Sequence, residues 1–162
     1  MPQAQVIDGK AAAEKLRATL GSIVKRLKKD HNLIPGLAVV MVGDDPASHI
    51  YTKNKVKQTI AAGMHSLQRN FAADTPEEVL AKEICSLNKD RSIHGILVQL
   101  PLPQHMNTNR ILDLILPEKD VDGFHPVNVG RLGSGLSGLV PCTCLLYTSD
   151  AADEGLGVDL GG

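Results

Sequence analysis

Two short apolar blocks constrain this chain more than any other feature. Gly36-Leu-Ala-Val-Val-Met-Val-Gly43 and Ile96-Leu-Val98 show no polar alternation, and each is flanked by segments of helical period. Such blocks read as strands buried on both faces, as in a parallel sheet. Parallel neighbours need long crossovers, so strands alternating with helices predict βαβ units covered on both sides. The expected fold is a three-layer α/β/α domain on a mainly parallel sheet. Gln99 stands where the second block breaks, and Pro101 and Pro103 forbid continuation as helix or central strand. Ligands of open α/β sheets bind outside the carboxyl ends of the strands, which makes Gln99 a site candidate. The plain alternative is a glutamine that only hydrogen-bonds its turn.

The helices are legible from spacing and caps. Asp8 is placed to cap a helix whose Leu16, Leu20, Ile23, Val24 and Leu27 form one inward stripe. Its basic end, Lys25 to Lys29, suits the macrodipole of a surface helix, although a calmodulin-target or membrane helix is also basic. Asp45 and Pro46 are the N-cap and first residue of a second helix running to about Gly63. On it Tyr51 and Lys55 are four apart and share a face, near the rim where Gln99 lies. A solvated lysine beside a half-buried tyrosine has the same spacing. Residues 64–71 read as a weaker strand. Thr75-Pro-Glu-Glu78 reads as a capping box, opening a helix with Val79, Leu80, Ile84 and Leu87 inward. A short helix is expected around residues 109–116, and Val6-Ile7 as an extended segment.

Several functions are excluded by composition. The net charge is −1 and no run of Lys and Arg exceeds two residues, which argues against nucleic acid or a polybasic membrane surface as partner. No apolar run approaches transmembrane length and Met1 leads directly into polar residues, so a cytoplasmic, soluble protein is expected. With two Phe, two Tyr and no Trp, the core must be aliphatic. Cys85, Cys142 and Cys144 make neither a disulfide framework nor a zinc site. Asp120 and Asp122 resemble the start of a calcium loop, but the later oxygen ligands are missing. His125 has no second histidine or thiol at ligand spacing, so no metal is expected. Gly133-Ser-Gly-Leu-Ser-Gly138 matches the dinucleotide fingerprint G-x-G-x-x-G in form. It lacks the strand before it and the helix after it, and is read as a linker.

Taken together and in order, Tyr51-x-x-x-Lys55, Val98-Gln-Leu-Pro-Leu-Pro103 and Lys119-Asp-Val-Asp-Gly-Phe-His125 resemble the bifunctional methylenetetrahydrofolate dehydrogenase/methenyltetrahydrofolate cyclohydrolase family. Ile7-Asp-Gly-Lys10, Val42-Gly-Asp-Asp-Pro-Ala-Ser48 and Asn128-Val-Gly-Arg131 add to the likeness, which covers residues 5–143. The resemblance implies the amino-terminal, amino-acid-dehydrogenase-like half of such an enzyme, without its Rossmann NAD(P) domain. It implies Lys55 and Gln99 as catalytic residues, with Gln99 orienting Lys55. Tyr51 and Asp122 would bind substrate, Tyr51 stacking on the aminobenzoyl ring and Asp122 anchoring the pterin. Asp120 is expected to be mainly structural.

The implied partner is a folate, and the implied parent is a homodimer of one-carbon metabolism using NADP or NAD. No nucleotide is expected to bind this chain itself. A non-catalytic folate-binding fragment is the alternative. The expected domain is 1–143. Residues 144–154 resemble a translated sequencing adapter; residues 144–162 hold four acidic residues and no Lys or Arg, and are expected to be a non-native disordered tail. The family's closing helix is not present in the sequence, so exposed apolar surface and marginal stability are expected.

Overall fold

The computed structural model describes residues 8–142; Val6-Ile7 and residues 144–162 lie outside the described residues. Helices and strands alternate as far as α4, and a further helix follows it: α1 (Gly9–His31), β1 (Gly36–Val42), α2 (Pro46–Ala61), β2 (His65–Phe71), α3 (Glu77–Lys89), β3 (Gly95–Val98), α4 (Thr108–Asp113) and α5 (Pro126–Gly133). The three strands form one parallel sheet in the order β2-β1-β3. The fold is therefore the expected α/β architecture, with β1 in the middle.

The two faces of β1 divide the core. Ala38, Val40 and Val42 join Ile96 and Val98 of β3 against Leu80, Ala81, Ile84 and Leu87 of α3. Val39 and Met41 point to the other face, where Thr52 of α2 donates to the Met41 sulfur at 3.8 Å. Both faces are covered, which explains why neither block alternates with polar residues. Asp45 caps α2 as expected, its carboxylate accepting from Ser48 N at 2.7 Å with Pro46 at the first position. Asp8 does the same for α1, accepting from Ala11 N at 3.0 Å.

Three local expectations are corrected. Leu16, Leu20 and Ile23 of α1 are exposed, Leu16 by 60%, and Val24 alone of that helix is buried. The reason is that α1 meets the body near the end of α2, with Val24 beside Gly63 and Gly21 beside the Ala62 carbonyl. The capping box does not form. Pro76 is the N-cap with no side-chain bond, because Glu77 and Glu78 are drawn to Arg110 at the start of α4. Val79 is 45% exposed, since it lies off the stripe through Leu80, Ile84 and Leu87.

Gly36 shows how tightly the start of the sheet is packed. A Cβ there would lie 2.0 Å from the Ser92 carbonyl oxygen, which is backbone and cannot swing away. Gly21 on α1 has nothing closer than 3.9 Å. Gly36→Ala is expected to destabilise by about 1–3 kcal/mol through overpacking. Gly21→Ala is expected to stabilise by about 0.5–1 kcal/mol through helix propensity. Urea unfolding midpoints of the two variants should therefore move in opposite directions.

Candidate active site

The carboxyl ends of β1 and β3 form the rim on which the site is built. Gln99 extends the ladder by one residue, its N–H donating to the Val40 carbonyl at 2.8 Å. Its side chain then turns back. Gln99 Nε2 donates to the Leu100 carbonyl at 2.8 Å, and Gln99 Oε1 accepts from Lys55 Nζ at 3.0 Å. The Leu100–Pro101 peptide that follows is cis. Lys55 can reach the rim because α2 starts at the end of β1. Ser48, Thr52 and Thr59 are the buried residues of α2, and Lys55 falls on their stripe at helical spacing.

Asp122 arrives from the other side. Ile96 N–H donates to the Lys119 carbonyl at 2.7 Å, and Ile96 and Asp120 form a parallel bridge. Lys119 Nζ in turn donates to the carbonyls of Leu87, Asn88 and Asp90 at 3.1, 2.8 and 2.9 Å, closing the carboxyl end of α3. Asp120 is 2% exposed, and its Oδ2 accepts from His125 N–H at 2.9 Å. It is therefore a buried acceptor, occupied by its own turn. Gly123 closes that turn at φ +69, a conformation that side-chain-bearing residues rarely adopt.

Lys55, Gln99 and Asp122 come together in a cleft of about 230 Å³ lined also by Val98, Leu100 and Phe124. Burial raises the Asp122 carboxyl above its ordinary value; the Lys55 charge opposes this and the Asp120 carboxylate adds to it. The cleft thus offers a cation, a neutral amide and a reluctantly ionised carboxylate between apolar walls. Tyr51 is not among the lining residues. It is one turn before Lys55 on α2 and 63% exposed. Phe124 is an aromatic lining residue that the sequence reading passed over. Its signal was its place next to the turn glycine, two residues after Asp122.

Residues 133–138 do not make a nucleotide-binding turn. They follow helix α5 rather than a strand, and a Cβ at Gly133 or Gly135 would meet nothing within 4 Å. The turn between β1 and α2 has strand-to-helix form, but Asp44 and Asp45 stand at its helix N-terminus, where a pyrophosphate would be repelled. Neither of these two glycine-bearing turns therefore has the form of a pyrophosphate-binding turn. Among the described residues no group of three or more His, Cys, Asp and Glu side chains is arranged to hold a metal ion. No helix of the described residues is long and apolar enough to cross a membrane.

Comparison with known proteins points the same way as the cleft. The family of tetrahydrofolate dehydrogenase/cyclohydrolase catalytic domains matches residues 7–122. The bifunctional protein FolD of Afipia carboxidovorans is 57% identical over 155 residues, which is 93% of this chain and 53% of that protein. The crystal structure of the bifunctional FolD dehydrogenase/cyclohydrolase of Campylobacter jejuni superposes with a TM-score of 0.86 at 42% identity, covering 94% of this chain and 54% of that one. The Trypanosoma brucei dehydrogenase-cyclohydrolase, solved in complex with NADP cofactor and an inhibitor, gives 0.87 at 35% identity, covering 96% and 53%. The chain spans about half the length of the curated relatives it matches.

The electrostatics of Asp122 have a measurable consequence. An acid whose value is raised on folding favours the folded state when protonated, and that contribution is lost as pH rises through its folded value. Asp122→Asn, a permanently neutral side chain, should therefore raise the thermal midpoint at pH 7. The gain should vanish below about pH 4, where the unfolded carboxyl is also protonated. Thermal unfolding of both proteins at the two pH values tests this.

Proposed function

The chain belongs to the tetrahydrofolate dehydrogenase/cyclohydrolase family, and on that premise we propose that it is the folate-binding catalytic half of such an enzyme. The domain is residues 1–143. The parent reaction oxidises 5,10-methylenetetrahydrofolate to the methenyl cation with NADP or NAD, then hydrolyses it to 10-formyltetrahydrofolate. The observation that carries the reading is the Lys55–Gln99 hydrogen bond at the sheet rim, in one cleft with Asp122.

The groups of this chain suit the folate side of that chemistry. Asp122 is an acceptor set between apolar walls, which suits the donor edge of a pterin. Lys55 moves protons at the reacting centre. Water adds to the methenyl carbon and loses a proton; the carbon–N5 bond then breaks as the remaining hydroxyl gives up its proton to become the formyl C=O, and N5 takes a proton, so that one proton is released overall. A lysine can exchange protons near neutral pH when a second cation is brought beside it, and the methenyl substrate is such a cation. Gln99 orients the amine without adding a charge that would compete for it. Tyr51, exposed one turn before Lys55, is free to stack on the aminobenzoyl portion of a ligand extending out of the cleft.

A second reading, folate binding without redox turnover, is favoured by one observation: the glycine run 133–138 follows a helix, and the strand–glycine turn–helix unit at Gly43 carries Asp44 and Asp45 where phosphates would sit. Calorimetric titration separates the two. A folate analogue should bind this chain, whereas NADP and NAD should not bind measurably. Micromolar dinucleotide binding that is lost on replacing Gly133 and Gly135 by valine would overturn the assignment of residues 133–138 as a linker.

Hydrolysis of supplied methenyltetrahydrofolate needs no nucleotide and can be followed by loss of its absorbance. Lys55→Met should abolish any hydrolysis above the spontaneous rate, with thermal unfolding nearly unchanged. Asp122→Ala should weaken analogue binding by about 1.5–3 kcal/mol, the cost of losing a charged hydrogen-bond partner. A Lys55→Met protein that hydrolyses as fast as its parent would refute the role given to that lysine.

A further inference from the structure

Asn128 lies in α5, outside the cleft, with 1% of its surface exposed. Its Nδ2 donates to the Pro117 carbonyl at 2.8 Å and to Asp120 Oδ2 at 2.9 Å. Both partners are pure acceptors, so chemistry settles which way the amide points. Asp120 Oδ2 also accepts from His125 N–H. One side chain thus draws together residues 117, 120 and 125, at both ends of the stretch that carries Asp122. The backbone within that stretch is fixed from two more sides. Val121 packs over Gly95, where a Cβ would lie 2.5 Å from Val121 Cγ1, and Pro141 packs over Gly123, where a Cβ would lie 2.7 Å from Pro141 Cδ.

Both acceptors depend on this amide. The Pro117 carbonyl and Asp120 Oδ2 are each served by Asn128 Nδ2, and a side chain without donors would leave them short of a partner. What the turn takes from residue 128 is therefore a pair of N–H donors.

We propose that Asn128 is a positioning residue of the folate cleft: through Asp120 it holds the 120–125 turn so that Asp122 faces Lys55. The proposal rests on the folate reading given above. It requires that Asn128 act on binding only by way of Asp122.

A double-mutant cycle on the full chain tests that requirement. Asn128→Ala, Asp122→Ala and the double variant are titrated with a folate analogue at a temperature where circular dichroism shows each to be folded. Asn128→Ala should raise Kd about tenfold in the parent and leave it unchanged in the Asp122→Ala background. Effects that multiply in the double variant, or no effect of Asn128→Ala in the parent, would overturn the proposal. Should Asn128→Ala not fold, Asn128→Leu, which fills a similar volume but has no donor, takes its place in the same cycle with the same two outcomes. If the parent itself binds no folate analogue, the functional reading fails. The carbon-13 titration of Asp122 then decides the positioning role alone: a midpoint displaced by Asn128→Ala upholds it, and an unmoved midpoint overturns it.

Discussion

The hydrogen bond from Ile96 N–H to the Lys119 carbonyl, at 2.7 Å, joins the strand that delivers Gln99 to the loop that delivers Asp122. Val121 packed over Gly95 reinforces the join, so the two residues are held at a fixed separation. Lys119 adds to the tie from its other end, spending its ammonium donors on three carbonyls at the end of α3. Those carbonyls are among the ones a helix leaves unpaired at its carboxyl terminus, and the cation also suits the negative end of the dipole. One lysine therefore fixes α3, β3 and the aspartate loop relative to one another. Lys55 needs no such device, because the capped start of α2 at the end of β1 already sets its distance from the rim.

The parts of this fold that were legible in the sequence are those in which one local signal decides the outcome. An apolar block bounded by glycines leaves few options for β1, and Asp45 followed by Pro46 leaves few for the start of α2. The parts that were not legible depend on competition or on distant partners. Thr75-Pro-Glu-Glu78 has the letters of a capping box, yet Arg110, more than thirty residues on, takes both carboxylates. The stripe on α1 is periodic enough to predict a buried face, but periodicity cannot say whether anything lies opposite it. Helix α5 is short, with Gly130 in its middle, and His125 caps it through a ring nitrogen, a weaker signal than Ser, Thr, Asp or Asn.

The candidate site shows the same division. Gln99 at the end of β3 and Lys55 on the helix that follows β1 reach one rim because a parallel sheet brings its carboxyl ends together, and Asp122 comes to it from the loop bridged to β3 at Asp120. Tyr51 shares the helix with Lys55, but the four-residue spacing leaves it about forty degrees away around the axis. That offset is enough to take it from the sheet-facing stripe into solvent. The clamp made by Asp120 and Asn128 had no sequence signature, since nothing in Asp120-Val-Asp122 says which carboxylate turns inward.

The cleft asks its residues to sit where they would not choose to sit. Asp122 is held where burial works against its ionisation, and among the described residues the charge that relieves it is the amine proposed to do the chemistry. A glutamate at position 99 would hold Lys55 more strongly, but it would set a second carboxylate beside Asp122 and pin the amine in its charged form. The neutral amide of Gln99 avoids both, at the expense of a weaker grip on Lys55. That grip suffices because the amide is itself held, by its own N–H donor on Leu100 and by its backbone on Val40. Strain of this kind is tolerable only beside a rigid support. The support is β1, whose residues from Ala38 to Val42 are all buried, with α3 packed on one face and α2 on the other. The aliphatic core and the polar rim are therefore a single arrangement: the buried central strand leads into the helix that carries Lys55 and pairs with β3, whose end carries Gln99.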